Sequence, residues 1–131
     1  MTSIYFTALH HASVIVSNTE QSLRFYHDIL GLKSIERPKL PFPGAWLQVG
    51  NGIQQIHLLE LDNPDPTTGR PEHGGRDRHV ALTVLSLDPV METLGRNNID
   101  YSLSKSGRRA LFCRDPDGNA VEIIEESVVM P

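Results

Sequence analysis

Of the side chains in this 131-residue chain that are of types that hold a divalent metal ion, four fall at matched positions. His11 opens the stretch Ala12-Ser13-Val14-Ile15-Val16, and His79 opens Val80-Ala81-Leu82-Thr83-Val84. His57 stands second in Ile56-His57-Leu58-Leu59-Glu60, and Glu122 stands second in Val121-Glu122-Ile123-Ile124-Glu125. Imidazole nitrogen and carboxylate oxygen suit zinc, nickel, iron, manganese or cobalt. A ligand set that leaves positions open permits chemistry on a bound substrate. A single strand histidine is more often packed than ligating, and a glutamate near a strand end is usually solvated. The matched occurrence of all four is what points to a site.

The elements that must position them follow from periodicity. Side chains alternate between the faces of a strand. Ala12, Val14 and Val16 therefore share one face, and His11, Ser13 and Ile15 the other. Val80, Leu82 and Val84 repeat that apolar row, opposite His79. Leu23, Tyr26 and Leu30 have helical spacing, so Glu20 to Leu30 reads as a helix, with Ser17-Asn18-Thr19 at its start and Gly31 at its end. Strands are expected over Leu32–Glu36, Ala45–Val49 and Ile53–Leu61, with a turn at Gly50-Asn51-Gly52. After a Pro- and Gly-rich loop, the order recurs. Asp88-Pro89 starts a helix as capping residue and first-turn proline, and Asn97-Asn98 ends it. Strands follow over Ile99–Ser104, Arg108–Arg114 and Ala120–Glu125, the last two joined by the turn Asp115-Pro116-Asp117-Gly118-Asn119. Ser127 to Pro131 carries no signal.

The expected fold is α+β: two tandem βαβββ modules, forming a curled mixed β-sheet cup with helices on the outer face. Module one spans about 7–61, a linker loop 62–77, and module two about 78–126, within one domain of residues 1–131.

Composition narrows the function. A net charge of −4 disfavours a nucleic-acid binder. No apolar run reaches the length of a membrane span, and the N-terminus has no signal-peptide pattern. The single cysteine, Cys113, excludes an intrachain disulfide framework, so a cytoplasmic protein is expected.

The sequence resembles the vicinal oxygen chelate superfamily of glyoxalases, bleomycin resistance proteins and dioxygenases. The resemblance is carried by His11-Ala12-Ser13-Val14-Ile15-Val16, Ser22 to Leu32 with its Phe25-Tyr26 and Leu30-Gly31-Leu32, His79 to Val84, and Asp115-Pro116-Asp117-Gly118-Asn119-Ala120-Val121-Glu122. It implies a metal cup with His11, His79 and Glu122 as ligands. His57 stands where glyoxalase I has glutamate and the epimerase glutamine, so metal ligand, base and cup lining all stay open for it. The resemblance further implies a homodimer, with the site in one chain or across two.

The leading expectation is a metal-dependent lyase or isomerase of glyoxalase type. A small substrate, an anionic one among the candidates, chelates the metal through vicinal oxygens, and Glu122 or His57 removes a proton next to a carbonyl. Ring-cleaving dioxygenase, fosfomycin-type thiol transferase and epimerase are alternatives. A metal-free module that sequesters an antibiotic is the alternative of another class. Arg70, Arg76, Arg78, Arg108 and Arg109 are candidate anion contacts against a background of solvated arginines, and Trp46 is a candidate cup wall. His10 is expected on the opposite strand face as a structural residue, His27 on the surface, and His73 in a solvated loop. Phe25, Tyr26 and Cys113 are expected in the core.

Overall fold

The structure is a computed structural model and describes residues 3–126, so Ser127 to Pro131 lies outside the described residues. The strands are β1 (His11–Val16), β2 (Lys33–Ile35), β3 (Gly44–Gln48), β4 (Gln55–Glu60), β5 (His79–Val84), β6 (Tyr101–Leu103), β7 (Ala110–Arg114) and β8 (Ala120–Glu125). They form two four-stranded sheets, β1-β4-β3-β2 and β5-β8-β7-β6. In each, the first and last strands run parallel and the other pairs antiparallel. The parallel pairing follows from the helix that separates first strand from second, as in a crossover connection. The expected βαβββ repeat is therefore present twice.

The first helix, α1 (Thr19–Leu23), continues as a wider turn over Arg24–Ile29. Its end bonds skip five residues, with Leu30 N–H donating to Phe25 O at 2.9 Å. A regular helix rotates neighbours by about 100°. Widening lets the consecutive Phe25 and Tyr26 both enter the core. Gly31 then takes φ 77°, which a glycine adopts without strain.

Both helices start on an equivalent carboxylate. Glu60 Oε1 accepts from Thr19 N–H at 2.8 Å, and Glu125 Oε2 accepts from Leu87 N–H at 2.9 Å. This corrects the reading of Asp88 as a cap. Asp88 is the first residue of α2 (Asp88–Arg96), and its carboxylate takes Arg109 Nη2–H at 2.8 Å instead.

One core fills the space between sheets and helices. It includes Val16, Tyr26, Leu47, Ile56, Leu58, Leu94, Leu111, Cys113, Val121 and Ile123. The Asp115–Asn119 turn fastens the halves. Asp117 Oδ1 accepts from Ser17 N–H at 3.1 Å, Asn119 Nδ2–H donates to Ile15 O at 3.1 Å, and Tyr26 O–H donates to Asp115 Oδ2 at 2.8 Å. Among the described residues the two sheets share no strand pairing, and no helix is long and apolar enough to cross a membrane.

Candidate metal-ligand pairs

Register places the site residues symmetrically. Across the first sheet Ser13, His57 and Trp46 stand side by side, and across the second Ala81, Glu122 and Phe112. His11 and His79 each begin the first strand of their sheet, diagonal to His57 and Glu122 respectively.

In the first half the three rings stack. His57 lies 4.0 Å from His11, at 17° between planes, and 4.2 Å from Trp46, at 4°. His57 is 7% exposed, and its Nε2 meets Gln55 Oε1 at 2.8 Å. Burial pushes its pKa down to about 4, helped by the nearby His11, His10 and Arg37. His57 is thus a neutral imidazole at physiological pH. His10 is not on the far face. Its Nδ1 lies 2.9 Å from Nδ1 of His11. The strand begins at His11, so alternation does not bind the residue before it.

In the second half His79 Nδ1–H donates to Asp77 O at 2.8 Å, because a carbonyl only accepts. That leaves Nε2 to face Glu122, 3.3 Å from its Oε1. Glu122 is 3% exposed, and its Oε2 accepts from Arg108 Nη2–H at 3.1 Å. Phe112 presents its ring to His79 at 5.2 Å and 87°. Asp77 is itself a hub. Its carboxylate accepts from Arg70 and, at 2.8 Å, from Arg114 Nη1–H. The Arg70 guanidinium holds it well below the usual carboxylate range.

The four matched residues therefore meet as two pairs, His11 with His57 and His79 with Glu122. Among the described residues of one chain, no three His, Cys, Asp or Glu side chains converge as a metal requires. A cleft of about 320 Å³ runs between β1 and the start of β5, lined by Ser13, Asp65, Arg70, Asp77, Arg78 and His79. Its two arginines are matched by acids, Arg70 by Asp77 and Arg78 by Asp65, so it is no free anion site. Arg109 is likewise held by Asp88 and Glu125. Arg108 differs: it borders Glu122, with its side chain 57% exposed.

The other expected residues divide. His27 is exposed and its Nδ1–H donates to Leu32 O at 2.8 Å, closing the helix end. His73 is not simply solvated: Nδ1 accepts from Gly75 N–H at 3.0 Å and Nε2–H donates to Leu103 O at 3.2 Å. Phe25, Tyr26 and Cys113 are buried as expected, and burial lifts the Cys113 thiol to about 12. Asp77, Gln55, Arg37 and Phe112 escaped the sequence reading. Phe112 was findable as the repeat counterpart of Trp46.

The model of the Glyoxalase/Bleomycin resistance protein/Dioxygenase superfamily matches residues 8–123. "Glyoxylase I 4" of Arabidopsis thaliana is 36% identical over 92% of this chain and 71% of its own length. "Lactoylglutathione lyase" of Haemophilus influenzae is 28% identical over 88% of this chain and 90% of its own. The crystal structure of a glyoxalase family protein from Bacillus anthracis superposes with a TM-score of 0.76 at 23% identity, covering 96% of this chain and all of that one. The repeated sheets, the matched pairs and a family match over nearly the whole chain agree: this protein belongs to the glyoxalase/bleomycin resistance protein/dioxygenase superfamily.

Proposed function

We propose that the protein is a cytoplasmic, metal-dependent lyase or isomerase of glyoxalase type, whose site is completed by two copies of the chain. His11 and His57 of one copy and His79 and Glu122 of the other supply the ligands. The observation that carries this reading is the pair in the second half: His79 Nε2 beside a buried carboxylate oxygen, 3.3 Å apart. The donor set fits a borderline divalent ion, since His57 is neutral and both His79 and Glu122 have second partners that orient them. Because the described residues of one chain offer two pairs and no triad, a second copy is the source of the remaining ligands in this reading.

A divalent ion bound there supplies Lewis-acid stabilisation of charge developing on a carbonyl oxygen. The chain's own groups do the rest. Arg108 holds Glu122 Oε2 and leaves Oε1 toward His79, where a carboxylate takes a proton from the carbon beside the carbonyl. The flat stack of Trp46 on His57 walls the other side and limits water. Arg108, partly exposed, is the residue placed to meet an anionic group on a small substrate.

The test is elemental analysis of the purified protein and of His79→Ala, followed by assay on lactoylglutathione, the compound in the bacterial relative's name. About one ion per chain, lost in the variant, with turnover of that compound, supports the reading. Protein that takes up no divalent ion after reconstitution overturns it and leaves a ligand-sequestering cup.

A further inference from the structure

Residues 3–9, ahead of β1, form an arm outside the helices and strands, exposed along its length. Ile4, Tyr5, Phe6 and Leu9 are 81%, 84%, 96% and 66% exposed, the densest run of exposed large apolar side chains among the described residues. Ser3-Ile4-Tyr5-Phe6-Thr7-Ala8-Leu9 has no charge and no proline, and Ile, Tyr, Phe and Thr favour extended structure. Such a segment left in water is a template for association.

The same chain carries an apolar groove of about 340 Å³ between the end of the first helix, β5 and α2. Leu30, Leu32, Val49, Leu82, Val84 and Val90 line it, and no lining residue is charged. From these two surfaces we infer that the arm of one copy docks in the groove of a second copy, an exchange made twice about a twofold axis.

Two observations select a second copy as the occupant. First, arm and groove are both uncharged in a chain of which 21% is charged, so neither desolvates an ion on docking. Second, the area suffices. An aromatic side chain buries roughly 150–250 Å², so two reciprocal arms with their four large side chains each remove on the order of 1,000 Å² or more, the threshold of a specific interface. Gln55 N–H donates to His10 O at 2.9 Å, fixing the arm's exit next to His11, and the groove takes in Leu82 and Val84 on the face of β5 opposite His79. The inference stands on packing alone and needs no metal.

Sedimentation velocity of the full chain, metal-free, tests it. Wild type is expected to be a dimer. The combined variant Ile4→Ser, Tyr5→Ser, Phe6→Ser is expected to be a monomer with an unchanged circular-dichroism spectrum, its dimer Kd raised at least about 100-fold. A groove variant, Val90→Arg or, should that one misfold, the rim substitution Thr93→Arg, is expected to lose the dimer equally. Mixing arm and groove variants is expected to restore one contact per pair, giving a heterodimer of intermediate affinity. A peptide copying Ser3 to Leu9 is expected to compete the wild-type dimer apart. A monomeric wild type, or an arm variant that dimerises as wild type does, overturns the inference. A monomeric wild type also removes the two-copy metal site, whereas an arm variant that dimerises as wild type does overturns the arm exchange alone and leaves that site standing.

Discussion

His79 Nε2 faces Glu122 Oε1 at 3.3 Å, while its Nδ1–H is tied to the carbonyl of Asp77. The carbonyl bond fixes the ring's orientation, so Nε2 is the nitrogen that meets the carboxylate. Glu122→Gln keeps the shape of the side chain and removes the anion. Its affinity for zinc or nickel, read by competition with a coloured chelator, is expected to fall by more than about 100-fold, since even groups outside the ligand set cost 10–100-fold. Thermal unfolding should stay cooperative.

His10 plays for His11 the part that Asp77 O plays for His79. Its Nδ1 sits 2.9 Å from His11 Nδ1. His10→Ala is expected to weaken metal binding by about 10–100-fold through loss of that orienting bond. His27→Ala, whose ring bonds Leu32 O at the helix end and lies near Asp28, should leave the same titration unmoved.

What the sequence could reveal here was whatever depends on local period. The turn Asp115–Asn119 set the start of β8 at Ala120, and the row Ala12, Val14, Val16 placed His11 on the polar face. The misreadings share a cause in distant contacts. Asp88 resembles a cap, but the carboxylate that takes the Leu87 amide comes from Glu125, on another element. The expected Ile99–Ser104 strand shortens to Tyr101–Leu103 because β6 is an edge with one neighbour. The wide turn was hidden behind ordinary helical spacing; adjacent Phe25 and Tyr26 were its only sign. Pair membership at the site is tertiary as well: equivalent positions follow from the repeat, but which equivalents meet does not.

The shared start of the two helices makes its own prediction. Glu60 and Glu125 end equivalent strands and each accepts an amide at the start of a helix. Glu60→Ala removes the acceptor for Thr19 N–H and is expected to cost about 1 kcal/mol, the scale of a lost helix cap. Glu125→Ala should act in the same direction and also free Arg109. Urea unfolding of each variant, with the m-value unchanged, checks this.

Alkaline pH should destabilise the fold through the core at Asp115. Burial, then the Asp115 charge, lifts Cys113 from 9.0 to about 12, and the same two causes lift Tyr26 well above 10. Both folded values lie above the unfolded ones. The unfolded chain therefore loses these protons first, and stability, full below about pH 9, declines as pH rises toward 12. Cys113→Ala and Tyr26→Phe should each flatten that decline in urea midpoints measured from pH 8 to 11. At neutral pH Tyr26→Phe is expected to cost about 1–3 kcal/mol, because Asp115 Oδ2 loses a buried donor. Cys113 should react with a thiol reagent only after unfolding.

A site shared between chains has a signature that a site within one chain lacks. His11→Ala spoils the first ligand pair and leaves the second; Glu122→Ala does the reverse. Each variant alone is expected to bind little metal. In a mixed dimer, one site inherits both defects and the other inherits none, because the intact His11 and His57 of one copy face the intact His79 and Glu122 of its partner. Random mixing makes half the dimers mixed, so about a quarter of all sites should recover. Metal analysis after unfolding the two variants together and refolding them reads that fraction directly, with each variant refolded alone as the baseline. Recovery near a quarter supports a shared site. No recovery, from a mixture shown by sedimentation to contain dimers, assigns all ligands to one chain and removes the two-copy arrangement.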